Sequence, residues 1–209
     1  MKVFDQKISQ FIESASSSAP TPGGGSIAAL CAALGASMGS MVANLSTGPK
    51  FAHVQTRMHE MAADLQKVID GFEYFAQQDM DSFNRFMIAL RLPKETADER
   101  RERTTQLQNA AVQAADVPLQ LMKSCRDVMS ILENASDQFN KNVISDLGVA
   151  VISLDAAIQS AWLTVKINLA TIKNEAVKQD YQEQGKKLLS DSQKLKQKVM
   201  DTVLAKISQ

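Results

Sequence analysis

The sequence predicts an all-α protein: a bundle of about six long antiparallel helices, forming one domain over residues 1–209 and associating as a dimer. Strand-like alternation of apolar and polar residues is nearly absent. Long stretches instead carry apolar residues at alternating steps of three and four, the pattern of a bundle seam. Ala and Met are frequent and aromatic residues are few, consistent with helices packed on helices.

The elements follow in order. Residues 2–16 form a short amphipathic helix with Phe4, Ile8, Phe11 and Ile12 on one face, ended by Ser16-Ser17-Ser18-Ala19-Pro20. A helix of small residues then runs to about Ser46 and is closed by Thr47-Gly48-Pro49. Ala29 and Ala33, Cys31, Gly35 and Gly39, and Ala32 and Ala36 lie at helical spacing. Gly inside a helix costs roughly 1 kcal/mol relative to Ala, so Gly35 and Gly39 point to a close helix neighbour. The third helix spans about 52–91, with Met58, Met61, Leu65, Val68, Phe72 and Phe75 as its seam. Arg91-Leu92-Pro93-Lys94 stops it. Thr96-Ala97-Asp98-Glu99 is a capping box that starts the fourth helix, which runs to about Glu133 and should kink at Pro118. Residues 143–173 form the fifth helix. Ile144, Leu147, Val151, Leu154, Ile158, Val165 and Ile172 make its apolar face. Beside that face lies a small and polar one: Asp146, Ala150, Ser153, Ala157, Ser160, Thr164 and Asn168, suited to the small-residue helix or to a cleft. The last helix, about 175–207, is highly charged around a seam from Val177 to Ile207.

Composition excludes several function classes. Lys plus Arg and Asp plus Glu are 23 each, so no net field draws the chain to nucleic acid or an anionic membrane. The two cysteines, Cys31 and Cys125, make no C-x-x-C. Met1-Lys2-Val3-Phe4-Asp5 places an acid where a signal peptide would turn apolar, so a cytoplasmic protein with reduced thiols is expected. The uncharged stretch between Glu13 and Lys50 and its Gly35-x-x-x-Gly39 fit a membrane helix. Ser26, Ser37, Ser40, Asn44 and Ser46 make it less apolar than a spanning helix, and no membrane association is expected. His53 and His59 are the only histidines and point to different helix faces, so no metal site is expected. Scarce histidine leaves acid–base work to carboxylates and lysine.

Two features carry chemistry. Pro20-Thr21-Pro22-Gly23-Gly24-Gly25-Ser26 combines an extended approach with side-chain-free backbone at the start of a helix. The first N–H groups of such a helix attract an anion or a polarised carbonyl. The loop is neither a Walker loop nor a dinucleotide fingerprint, since no strand precedes it and no Gly-Lys-Ser/Thr follows. Asp79 stands where the third helix's seam calls for an apolar residue. A buried carboxylate is costly unless paired or protonated, so Asp79 is an acid–base candidate, a register device, or a sign that the seam drifts toward water.

These motifs resemble the cyclodeaminase/cyclohydrolase family: the C-terminal half of formiminotransferase-cyclodeaminase and free-standing methenyltetrahydrofolate cyclohydrolases. Pro20 to Ser26 leads into a small-residue helix ending Met41-Val42-Ala43-Asn44-Leu45; Asp79, Phe83, Leu92, Pro93 and Lys94 match a second motif. Asn140, Asn142, Ser145 and Asp146 match a third, Asn168-Leu169 a fourth, and Arg103 with Pro118 a fifth. Two positions depart: Phe139 stands where the family usually has Gly, and Thr164 where it often has Asn. The resemblance covers nearly the whole chain.

What the resemblance implies is a helical dimer with clefts between subunits. It makes Asp79 the catalytic residue and Pro22, Gly23, Gly24, Gly25, Ser26, Asn44, Phe83, Lys94, Arg103, Asn142, Ser145, Asp146 and Asn168 the substrate-binding set. The implied reaction is hydrolysis of 5,10-methenyltetrahydrofolate to 10-formyltetrahydrofolate, with no cofactor beyond the tetrahydrofolate-borne substrate. The alternatives are cyclodeaminase chemistry, releasing ammonia from 5-formiminotetrahydrofolate, and a helical scaffold that has lost activity. A chain without a formiminotransferase domain is expected to favour the cyclohydrolase.

Overall fold

A computed structural model describes residues 3–208. Its helices are α1 (Ile8–Ala15), α2 (Gly24–Asn44), α3 (Gln55–Leu90), α4 (Ala97–Glu133), α5 (Ile144–Leu169) and α6 (Glu175–Ile207), with short 3-10 turns at Val3–Asp5, Pro49–Phe51 and Lys141–Val143. The capping box that starts α4 forms as expected. Thr96 Oγ1 accepts from the Glu99 amide, and Glu99 Oε2 accepts from the Thr96 amide.

The N-terminal segment departs from expectation. The continuous helix expected over 2–16 is a 3-10 turn followed by the two-turn α1, and Lys2 lies outside the described residues. Phe11 is buried, whereas Ile8 and Ile12 on the same stripe are 74% and 60% exposed. An amphipathic repeat reports that a face is apolar; it cannot report that a neighbour lies opposite it. The fifth helix also ends earlier than expected, at Leu169, although Ile172 in the following turn remains buried.

α2 occupies the middle of the bundle, packed mainly between α3 and α5. A Cβ at Gly35 would sit 3.0 Å from the Ala150 carbonyl oxygen and 3.1 Å from the Leu154 amide nitrogen, so two backbones meet there and only Gly fits. The small face of α5 serves both expected purposes. Ala150 and Ser153 meet α2, where Cys31 Sγ donates to the Ser153 carbonyl, while Thr164 and Asn168 line a cleft. Two segments, α2 and residues 141–169, are long and apolar enough to cross a bilayer; half or more of each is buried inside this bundle. The second was not singled out from the sequence.

Among the described residues, one charge pair joins a buried carboxylate to a partly exposed lysine, whose side chain is 32% exposed. Asp155 on α5 is 2% exposed, and its oxygens accept from Lys196 Nζ, Ser192 Oγ and Gln159 Nε2. Without Lys196, the buried Asp155 would lose its countercharge and keep only the neutral donors Ser192 and Gln159. Lys196→Met is expected to cost about 3 kcal/mol of unfolding free energy, read as a lower urea midpoint. An unchanged midpoint would mean that water reaches Asp155.

Candidate functional site

The loop and the carboxylate converge. Pro20, Thr21, Gly23, Gly24 and Gly25 form one wall of a cleft of about 410 Å³, Asp79, Ser82, Phe83 and Phe86 of α3 another, and Ala114, Thr164, Ile167, Asn168 and Thr171 close it. The Thr21–Pro22 peptide is cis. The larger hollows elsewhere lack this chemistry. That between α5 and α6, about 660 Å³, contains Asp155, whose oxygens are already bonded. That between α3 and α4, about 470 Å³, contains Arg85, which donates to Gln113.

Asp79 is half-buried at the start of α2. Its Oδ2 accepts the Ser26 amide at 2.9 Å and the Ser26 hydroxyl at 3.0 Å. The group at this helix N-terminus is thus a carboxyl of the protein itself. The Ser26 amide, expected to meet a ligand, is engaged by Asp79, and the Ser26 side chain is fully buried. Gly24 and Gly25 remain as the cleft-lining start of the helix. Burial lifts the Asp79 carboxyl above the usual range, and the two Ser26 hydrogen bonds, which favour the anion, partly offset this. Among the described residues no cation pairs with Asp79.

Gly25 fits against this carboxylate. A Cβ there would lie 2.1 Å from Asp79 Oδ1 and 2.4 Å from its Cγ. Across the cleft, Asn168 Nδ2 donates to the Ala114 and Thr164 carbonyls, which fixes the amide plane and leaves its oxygen available. Phe83, Phe86 and Ile167 supply flat or apolar surface.

The other expected site residues lie elsewhere in the chain. Asn44 is at the far end of α2, roughly 30 Å from Gly24 at 1.5 Å per residue. The same end holds Asn142, Ser145 and Asp146, because the Asn140 amide donates to Ser46 Oγ and its side chain to the Leu45 carbonyl. Phe139, the family departure, is buried in that connection. Lys94 is exposed in the α3–α4 corner, beyond the end of the helix that bears Asp79. Arg103 donates through Nε and Nη2 to the Leu90 carbonyl, capping α3. Arg100 likewise donates to the Lys94 and Glu95 carbonyls, and Arg101 pairs with Asp98, so these cations have partners within the chain. Ser82, Phe86, Ile167 and Thr171 were not expected as cleft residues, whereas Thr164 lies on the α5 face expected to meet α2 or line a cleft. Ser82 and Phe86 follow Asp79 at helical steps, and Ile167 and Thr171 flank Asn168, so helical spacing around those two anchors was the available signal.

Comparisons with known proteins agree on one family. The sequence model of formiminotransferase-cyclodeaminase matches residues 7–187. The chain is 35% identical to a methenyltetrahydrofolate cyclohydrolase of Methylorubrum extorquens, over 98% of this chain and 99% of that protein. It is 31% identical to the formimidoyltransferase-cyclodeaminase of Gallus gallus, over 87% of this chain but only 34% of that longer protein. The fold is similar to a crystal structure of formiminotetrahydrofolate cyclodeaminase from Thermotoga maritima, with a TM-score of 0.88, 25% identity and 98% of both chains covered.

Proposed function

Because this chain belongs to the formiminotransferase-cyclodeaminase family, we propose that it is a methenyltetrahydrofolate cyclohydrolase of one-carbon metabolism, acting as one domain with Asp79 as its acid–base group. The observation that carries this reading is the half-buried, cation-free Asp79 in the glycine-loop cleft. The substrate's methenyl carbon shares a positive charge between N5 and N10. Water attacks that carbon while Asp79 takes a water proton; the new C–O bond forms as the O–H bond breaks. The adduct opens when the proton on Asp79 passes to N5 and the C–N5 bond breaks. The adduct hydroxyl releases its proton to solvent, leaving the formyl group on N10. The ionised carboxylate also stabilises the substrate's cation before attack. No cofactor beyond the folate carrier is required.

In this reading Phe83 and Phe86 flank the ring system, and Gly24, Gly25 and Asn168 meet its polar edge, since all five line the cleft. Lys94 follows the end of α3, whose last residue lies about 16 Å along the helix from Asp79. That separation favours the glutamate end of the folate as its partner over a ring oxygen. Loss of methenyltetrahydrofolate absorbance on adding the protein tests the function, and no loss at micromolar protein rejects it. The fold similarity to a cyclodeaminase favours a second reading, ammonia release from the formimino substrate. An ammonia assay separates the two.

The finer architecture belongs to this reading as well. The start of α2 lies beside the later part of α3 and the end of α5, which supports an antiparallel bundle. α2 and α5 together present Ile27, Leu34, Leu45, Val149, Ile152, Leu163 and Ile167 to solvent, with Leu163 68% and Ile167 71% exposed. A second copy packed on this face is the expected cover, giving a homodimer. A twofold axis through the middle of the face exchanges its ends. Asn44, Asn142, Ser145 and Asp146 of one copy then approach the Asp79 cleft of its partner. We expect a dimer in sedimentation at micromolar concentration. We also expect Asp79→Asn and Asp146→Ala chains, each inactive alone, to recover about a quarter of wild-type activity when mixed and exchanged. No recovery from the mixed chains would place the second group of residues outside the site. Burial of half or more of each bilayer-length apolar segment within the bundle supports reading the protein as soluble and cytoplasmic.

A further inference from the structure

We propose that Ser26 divides the two oxygens of Asp79 between separate tasks: it anchors Oδ2 through its amide and hydroxyl, leaves Oδ1 to exchange the proton, and turns its hydroxyl to the Ala76 carbonyl while Asp79 is protonated. The inference rests on Asp79 being the acid–base group of the reaction above. The Ser26 side chain is fully buried and carries one hydroxyl proton. Two acceptors lie within its reach: Asp79 Oδ2 at 3.0 Å and the Ala76 carbonyl oxygen at 3.3 Å, one turn earlier on α3. The proton cannot serve both well. With Asp79 ionised, the bond to Oδ2 is charge-assisted and is the stronger of the two. Once Oδ1 has taken a proton from water, Oδ2 loses most of its charge and the Ala76 carbonyl competes on even terms.

Neither state strands the buried Ser26 side chain. The Ser26 amide stays on Oδ2 throughout, and the hydroxyl always has an acceptor, so proton transfer leaves neither Ser26 group without a hydrogen bond. Asp79 Oδ1 has no hydrogen-bond partner among the described residues, and the residue against it is Gly25, which has no side chain to cover it. Ser26 therefore acts through Asp79 and is a positioning residue. Its burial denies it a substrate contact.

The test is Ser26→Ala, which removes the hydroxyl and keeps the amide. The expected result is a kcat lowered about tenfold, a KM within twofold of wild type, and an acid limb of the kcat/KM profile moved to higher pH, because one bond favouring the carboxylate is gone. Ser26→Cys, nearly the same shape with a weaker donor, is expected to fall between the two. It carries the test if the alanine variant does not fold. Carbon-13 NMR titration of the Asp79 carboxyl in the ligand-free protein should show the same upward movement without any catalysis. An Asp79 titration identical in wild type and both variants would overturn the inference and leave the proposed function standing. So would a raised KM with kcat unchanged, which would make Ser26 a substrate contact.

Discussion

Asp79→Asn is expected to lower turnover of methenyltetrahydrofolate by about 10²–10⁴-fold, the usual range for loss of a general acid–base group, in a protein that still folds and binds folate. The amide keeps the shape of the carboxyl, and its oxygen can still accept from Ser26, so the loop and the start of α2 keep their anchor. It loses the exchangeable proton and the negative charge. The stability effect has the opposite sign. Burial raises the Asp79 carboxyl above its ordinary range, so folding favours the protonated form. That stabilisation is complete below the unfolded-state value and is lost as pH rises through the raised folded-state value. At neutral pH the wild type carries a carboxylate that folding disfavours, and Asp79→Asn is expected to melt at the same or a higher temperature. The advantage should disappear in acid, where the wild-type carboxyl is protonated too. Turnover within a few-fold of wild type would make Asp79 a register device on the α3 seam and remove the mechanism.

Gly25→Ala is expected to lower kcat about 100-fold, the scale of loss when a reacting group is displaced by about 1 Å. The added methyl would fall 2.1 Å from Asp79 Oδ1, so the carboxylate has to rotate away and give up its Ser26 bonds. Circular dichroism should show helix content kept, since Ala is the better helix former. Gly24→Ala is the control. Its methyl would lie 3.7 Å from Thr164 Oγ1, an ordinary contact at the cleft wall, so binding weakens before turnover does. Equal activity in the two variants would show that the contact with Asp79 has no part in catalysis.

The difference between these two glycines was not legible in Pro20–Ser26. Three consecutive glycines read alike in a sequence, and a Cβ added to Gly24 or Gly25 meets a different neighbour only once α5 and α3 are in place. The helices themselves were legible. Seams at steps of three and four located α3 to α6, and the Thr96–Glu99 box marked the start of α4. Gly35 and Gly39 marked a close helix approach, because Gly in a helix interior is unfavourable unless a neighbour needs the space. These are local properties, carried within a few turns of one chain segment. The α1 stripe shows their limit, since Ile8 and Ile12 fit the repeat and face solvent.

Asp79 was legible as an irregularity, a carboxylate in an apolar seam, and as the residue the resemblance implied to be catalytic. Its partner was not. Ser26 lies 53 residues away, and nothing in either segment states that the helix N-terminus expected to await an anion would meet one from its own chain. The same holds for the expected binding residues, which fall at the two ends of α2 and in the α3–α4 corner although their motifs follow each other along one chain. Periodicity and capping are set by the 3.6-residue turn and by hydrogen bonds reaching three or four residues, so the order of amino acids suffices for them. Which oxygen of Asp79 is anchored, which glycine must stay bare, and which residues share a cleft depend on contacts between helices far apart in the chain, and those exist only after the helices have packed.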